Sequence, residues 1–395
     1  MEKPDALEKR IKRNVTAREQ RFFVVVSPGL VKVCHDELSR LFNGEKDISE
    51  KDGGLEFQGT VLDCYRANLC LRTASRIIMR LSEFTATEFS VLEKKIRDFP
   101  WELYLSKNHT PSIHVTAKKS KLYHSGAIDQ RFRENIAWRL GPGNPSTAPG
   151  TADGEAPNIY VRVLHDRFEL SLDSTGPLLY LRGLKTLGGR APLRETLASG
   201  LLLMAGYKAG MPLLDPMCGS GSFSLEAAMI TRNIPPGWYR EFAFQSWPCF
   251  REGALKHIRK TEAAAISEVC EASIFASDSD EKACKAIADQ GLSAGFSDMI
   301  QVRRADVFDL DPSLAGQKKG LVMVNPPYGR RLGTERQSEL FIADLFRMFE
   351  SRFSGWRVGV ISPFEKERVK APRNLRQHAF YHGGLNLFFI NGVIR

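Results

Sequence analysis

An apolar run, Met211-Pro212-Leu213-Leu214, breaks into Asp215-Pro216-Met217-Cys218-Gly219-Ser220-Gly221 and then into a helical apolar pattern over Phe223, Leu225, Ala227, Ala228, Met229 and Ile230. That order predicts a strand, a glycine-rich turn and a helix. Glycine lets backbone approach a ligand closely, and the first turn of a helix leaves its N–H groups unpaired. A second apolar run, Leu321-Val322-Met323-Val324, ends in Asn325-Pro326-Pro327-Tyr328. Further strands are expected at Ile274-Phe275-Ala276-Ser277-Asp278, Ile300-Gln301-Val302-Arg303 and Val358-Gly359-Val360-Ile361, with helical patterns between them. Ala379-Phe380-Tyr381 and Leu385-Asn386-Leu387-Phe388-Phe389-Ile390 suit a closing antiparallel hairpin. Strands alternating with helices predict a doubly wound α/β sheet, with an antiparallel last strand. Both motifs then sit at carboxyl ends of strands, where open sheets of this kind bind ligands.

The preceding residues have a different rhythm. Arg21-Phe22-Phe23-Val24-Val25-Val26 reads as a strand, Leu30, Cys34, Leu38 and Leu41 as a helix face, and Gly53-Gly54-Leu55-Glu56-Phe57 as a short strand. A helix around Leu62, Tyr65 and Leu69 and a strand at Ile77-Ile78-Met79-Arg80-Leu81 complete a small α+β unit. A second unit has a helical stripe at Phe89, Leu92, Ile96, Phe99 and Leu103, a strand at Ser112-Ile113-His114-Val115-Thr116 and a helix over Ile128, Phe132, Ile136 and Leu140. Strands follow at Ile159-Tyr160-Val161-Arg162-Val163, Phe168-Glu169-Leu170-Ser171-Leu172 and Leu178-Leu179-Tyr180-Leu181. Residues 141–157, rich in Gly, Pro, Ser and Thr, read as a surface loop. The expected division is a frayed basic end over 1–20, then units over 21–82, 83–183 and 184–395.

A length of 395 residues calls for more than one core, and a formal net charge of +10 favours a polyanionic partner. The seven cysteines include no C-x-x-C pair and are odd in number, which predicts neither a disulfide framework nor a metal site and suits a reduced, cytoplasmic protein. Cys218 lies in the glycine-rich turn, where a small residue is needed anyway, and no His is near it in sequence, so no catalytic thiol is expected. No run approaches the roughly 20 apolar residues of a membrane span.

The two motifs together resemble the class I S-adenosylmethionine-dependent methyltransferases, in particular those that methylate an amino nitrogen of a base. Lys118-Lys119-Ser120-Lys121-Leu122-Tyr123-His124 and Asp173-Ser174-Thr175-Gly176 resemble parts of a THUMP domain, an RNA-binding module, preceded by its ferredoxin-like partner. Across nearly the whole chain the pattern is similar to the RlmL/YpsC-like enzymes, which make N2-methylguanine in 23S ribosomal RNA. Glu226-Ala227-Ala228-Met229-Ile230, Arg232-Asn233-Ile234-Pro235-Pro236-Gly237 and Phe242-Ala243-Phe244 with Trp247 belong to that similarity. Packing a core would explain the Phe/Trp group equally well. Arg182-Gly183-Leu184-Lys185 departs from the family, which has an aromatic residue and an Arg there.

The resemblance implies roles. Asp215, Pro216, Cys218, Gly219 and Gly221 would hold the methionine end of the cofactor. Asp278 would accept hydrogen bonds from the ribose diol, unless Asp280 does so instead of capping the helix that starts at Glu281. Asp306 would accept from the adenine amine, or simply form a turn. Asn325 and the Pro326 carbonyl would accept from the target amine, turning its lone pair towards the methyl group. Pro327 would fix the loop, Tyr328 would stack on the base, and Asn325 would also border the cofactor. Lys118, Lys119 and Lys121 would grip RNA phosphates. No metal is required. A transfer RNA guanine, or a non-enzymatic role in RNA binding or ribosome assembly, remains an alternative.

Overall fold

The computed structural model describes residues 4–107, 110–141, 156–184, 193–267, 273–316, 318–327 and 334–395. In the first half, α1 (Pro4–Ile11) leads into β1 (Gln20–Val26), α2 (Val31–Leu41), β2 (Ile48–Lys51), β3 (Gly54–Gly59), α3 (Val61–Cys70) and β4 (Ala74–Thr85). Next come α4 (Phe89–Asp98), β5 (Ser112–Lys118), α5 (Ser125–Leu140), β6 (Asn158–Leu164) and β7 (Arg167–Asp173). These seven strands form one sheet in the order β2-β3-β1-β4-β7-β6-β5. The join is the antiparallel β4–β7 pairing, from Ile78 opposite Asp173 to Thr85 opposite Arg167. Residue 82, where a division was expected, lies inside β4.

The segment expected to fray carries α1 and a turn of π-helix over Lys12–Thr16. Ile11 and Val15 are buried, and Arg10 pairs with Glu102 at 2.8 Å. The stripe beginning at Phe89 stops as an α-helix at Asp98, ahead of Pro100, because proline excludes the helical conformation of the residue before it. The strand expected at 178–181 does not form. Arg240 donates to the carbonyls of Thr175, Leu178 and Leu181, and Arg182 donates to that of Leu179, so guanidinium groups take the place of a partner strand.

The second half contains α6 (Glu195–Met204), β8 (Leu213–Asp215), α7 (Ser222–Thr231), α8 (Glu252–Ala263), β9 (Ile274–Asp278), α9 (Glu281–Ser293) and β10 (Ile300–Arg304). It closes with β11 (Leu321–Val324), α10 (Glu335–Arg352), β12 (Arg357–Ser362), β13 (Arg376–His382) and β14 (Leu385–Val393). The sheet order is β10-β9-β8-β11-β12-β14-β13. The first five strands are parallel, and β14 inserts antiparallel between β12 and β13. This is the expected α/β sheet with its antiparallel closing strand.

One apolar core runs from Ile11 in α1 to Phe389 in β14 and crosses between the halves; the α10 face of the second sheet has its own. Tyr65 of α3 stacks on Phe244 with centroids 4.2 Å apart. Phe242, Phe244 and Trp247 are all buried, which is the packing alternative for that group.

Candidate active site

The site lies along the carboxyl edge of the second sheet. Asp215 ends β8 and is 1% exposed. Its Oδ2 accepts from Ser224 Oγ at 2.7 Å, while Oδ1 has no partner among the described residues. Burial, reinforced by the charge of Asp278, pushes its carboxyl pKa up to about 7.

The turn after Asp215 is tied down at two points. Cys218 N donates to Ser277 O of β9 at 3.0 Å, and Gly219 N donates to Asp278 Oδ2 at 2.9 Å. Gly219 and Gly221 have φ of +50° and +75°, a region that favours glycine. A Cβ on Gly221 would lie 2.6 Å from Ile287, whereas none of the described atoms lies within 4 Å of one on Gly219. Gly219 thus presents open backbone, and Gly221 starts α7. The Cys218 thiol is buried and raised above its ordinary range by that burial, with Asp215 and Asp278 adding to it. That environment disfavours a thiolate.

Asp278 and Asp280 are separated by their contacts. Besides Gly219, Asp278 accepts from Asp280 N at 3.0 Å through Oδ1. Asp280 is exposed and caps α9 by accepting from Lys282 N at 2.9 Å. Asp306 is exposed and accepts from Phe308 N at 2.9 Å, capping the short helical turn Val307–Asp309.

Asn325 follows β11, with Pro326 buried and Pro327 half-buried; Tyr328 lies outside the described residues. Asn325 Oδ1 is buried without a partner among the described residues. Strand register fixes its height. Leu214 lies opposite Val322 and Asp215 opposite Ala276, so Asn325 and Asp278 both stand two residues beyond the level of Asp215. They flank the glycine-rich turn from neighbouring strands, roughly 10 Å apart at two strand spacings. Two orphaned acceptors and one two-handed carboxylate therefore converge on one edge. Such a set can hold a cation and an N–H donor side by side.

Two features were missed in the sequence. Ser224 anchors Asp215 from α7. Glu226, on the same helix, pairs with Arg182 at 3.0 Å with both side chains buried, and Arg182 also donates to Arg72 O at 2.7 Å. The departure at Arg182-Gly183-Leu184-Lys185 is thus, at Arg182, a bridge from α7 to the first half.

The expected RNA contacts fall elsewhere. Lys118, at the end of β5, and Lys119 and Lys121 in the turn after it are exposed; the turn is held by Ser120 Oγ to Lys118 O at 2.8 Å and Lys121 N to Asp166 Oδ1 at 2.6 Å. Asp173, Ser174 and Thr175 are buried and structural, with Thr175 Oγ1 donating to Asn68 Oδ1 at 2.6 Å. Among the described residues there is no cluster of three or more potential metal ligands, and no helix is long and apolar enough to cross a membrane.

Comparison with known proteins places this geometry. Residues 182–379 match the UPF0020 family, described as an RMKL-like methyltransferase domain, and residues 21–78 match the RlmL ferredoxin-like domain. The putative RNA methyltransferase slr0064 of Synechocystis is 32% identical over 88% of this chain and 89% of its own length. A ribosomal RNA large subunit methyltransferase K/L of Syntrophotalea carbinolica is 32% identical over 94% of this chain, which spans only 53% of that relative. The structure of SMU.472, a putative methyltransferase complexed with SAH, superposes with a TM-score of 0.83 at 25% identity, covering 96% of this chain and 99% of that one.

Proposed function

Because the chain belongs to the RMKL-like methyltransferase family, we propose that it transfers a methyl group from S-adenosylmethionine to the exocyclic N2 amine of a guanine in RNA, in large-subunit ribosomal RNA. A methyltransferase with this cofactor is what its motifs resemble, its relatives are methyltransferases, and SMU.472 was captured with SAH. The base and the RNA are our reading. The observation that carries it is Asn325 Oδ1, a buried acceptor without a partner at the rim of the cofactor turn. A buried orphan costs about 1–3 kcal/mol, which an arriving N–H donor would recover.

The residues present suit the cofactor. Asp215 Oδ1 awaits a cationic donor, as an amino-acid ammonium would be, and the open backbone at Gly219 leaves room beside it. Asp278 keeps a second lone pair on each oxygen for a ribose diol. We assign the ribose to Asp278, since Asp280 is committed to its cap. Asp306 is assigned to the adenine amine, with its other oxygen on Phe308 N. When bound, the sulfonium supplies an electrophilic methyl group. Asn325 Oδ1 and the Pro326 carbonyl accept from the two amine N–H bonds, directing the nitrogen lone pair at that methyl. Pro327 stiffens the loop, Tyr328 stacks on the base, and the proton leaves after transfer. Positioning supplies most of the catalysis, and a base must leave its stack to enter such a pocket. The basic turn with Lys118, Lys119 and Lys121 grips phosphates.

The test is methylation of total bacterial RNA with labelled cofactor, followed by nucleoside analysis and site mapping. The expected product is N2-methylguanosine in the large-subunit RNA. Label in transfer RNA would move the substrate but not the chemistry. N6-methyladenosine would overturn the guanine assignment, and absence of transfer to any RNA would overturn the function.

A further inference from the structure

The β13–β14 hairpin overhangs the edge on which the site is built. The β12–β14 ladder ends where Ser362 meets Phe388, but β13 and β14 go on pairing through Phe380 with Leu387, Tyr381 with Asn386 and His382 with Leu385. Three further residue pairs carry the tip about 10 Å past the end of β12. Gly383 and Gly384 close it with φ of +59° and +82°. Positive φ at both positions gives the tight two-residue turn whose twist matches paired strands.

The tip is exposed where such a ribbon would ordinarily be polar. Tyr381 and Leu385 are 52% and 46% exposed, while their neighbours Phe380 and Leu387 are buried. The ribbon is braced from the first half: a Cβ on Gly29 would lie 2.6 Å from Ala379 O, so that loop presses on β13. The tip thus belongs to a hairpin that the first half touches. It lies about 15 Å to the side of β11, three strand spacings away.

Gln377 lies opposite Ile390, whose side chain packs in the α10 core, so Gln377, Ala379 and Tyr381 share the α10 face. On that face Arg336, Arg347, Arg368 and Lys370 border a groove of about 370 Å³ between α10 and the segment after β12. Its arginines are compensated, Arg336 by Glu339 at 2.8 Å, Arg368 by Glu339 at 3.2 Å and Glu335 at 2.6 Å, and Arg347 by Asp344, which leaves Lys370 as the lining cation with no ion pair among the described residues. An exposed aromatic ring on the same face as an uncompensated lysine has the composition of a single-strand binding surface: bases stack on the ring and phosphates follow the charge.

We propose that Tyr381 stacks on a nucleotide flanking the target base in the same strand, while the strand's phosphates run into the groove at Lys370. This rests on the function proposed above and adds the element that holds the strand once the target has left its stack.

The experiment uses the full chain and deproteinised large-subunit ribosomal RNA lacking the modification. Tyr381→Ala, Tyr381→Trp and Lys370→Ala are compared for RNA affinity, salt dependence and cofactor affinity. Tyr381→Ala is expected to weaken RNA binding about tenfold, or about 1.4 kcal/mol, with an unchanged salt slope. Tyr381→Trp should keep wild-type affinity. Lys370→Ala should flatten the log–log salt slope by about 0.7–0.9, one phosphate contact. Cofactor affinity should be the same in all three, which also reports intact folding. RNA affinity of Tyr381→Ala within twofold of wild type, in an enzyme that methylates the RNA, would overturn this inference alone. A wild-type enzyme that methylates no RNA would sink it together with the proposed function.

Discussion

Asp215 is held against its ordinary chemistry. Burial raises its carboxyl from 3.8 to about 7, so between those values the folded protein keeps a proton that the unfolded chain has lost. Stability of the ligand-free protein should therefore fall as pH rises from about 4 to 7 and level off above it, by a few kcal/mol at most. Asp215→Asn should remove that slope in urea titrations at stepped pH. An ammonium placed against Oδ1 favours the carboxylate, so cofactor affinity should rise with pH up to about 7. It should fall again above about 8, where an α-amino group loses its own proton. Calorimetry that found the acid limb intact in Asp215→Asn would remove Asp215 from the cofactor site. Asn325 works differently, because its orphaned oxygen is assigned to the amine. Asn325→Ala should lower turnover by orders of magnitude, each tenfold being about 1.4 kcal/mol of transition-state stabilisation, with cofactor affinity nearly unchanged. A fully active variant would refute the mechanism.

The glycine-rich turn sets two glycines against each other. Both have positive φ, but only Gly221 is crowded, with Ile287 in the space a side chain would need. Gly221→Ala should cost about 2–4 kcal/mol, backbone strain plus overpacking, and Ile287→Val should recover part of it. Gly219→Ala should cost only about 1 kcal/mol of stability yet impair cofactor binding, because its methyl group enters open space beside the site. Denaturation and cofactor titration of the same two variants separate these outcomes; equal stability losses would contradict the packing. The strand ends at Asp215 and before Asn325 and the turn through Gly219 and Gly221 were legible in sequence because residue type, strand end and turn are local facts. Ser224 under Asp215 and the Gly219–Asp278 hydrogen bond were not, since each joins positions that only the fold brings together. The apolar run at 178–181 misled for the same reason: arginines from elsewhere occupy its carbonyls, and composition alone cannot distinguish that from a sheet.

At the scale of the molecule, the sequence suggests separate units, and the packing joins the two sheets through a shared core. The main core crosses the junction, Tyr65 stacks on Phe244, and Gly237 N donates to Leu69 O at 2.9 Å. A chain cut near residue 187 would leave Phe244 without Tyr65, so the second half alone should be poorly folded and should not simply lose RNA binding. One polar link across the junction is the Arg182–Glu226 pair. Its Glu lies on α7, the helix that begins at the cofactor turn, and its Arg reaches the carbonyl of Arg72. Removing one member leaves a buried charge unpaired, whereas removing both leaves a hole without a charge. Arg182→Met and Glu226→Gln should each lose about 3–5 kcal/mol in urea denaturation. Arg182→Met combined with Glu226→Leu should lose less than the sum of its single changes. Because α7 carries the turn, cofactor affinity should fall in the single variants by more than in the double. Additive losses in stability, with cofactor affinity untouched, would mean that the two members act independently and that this pair does not couple the junction to the cofactor turn.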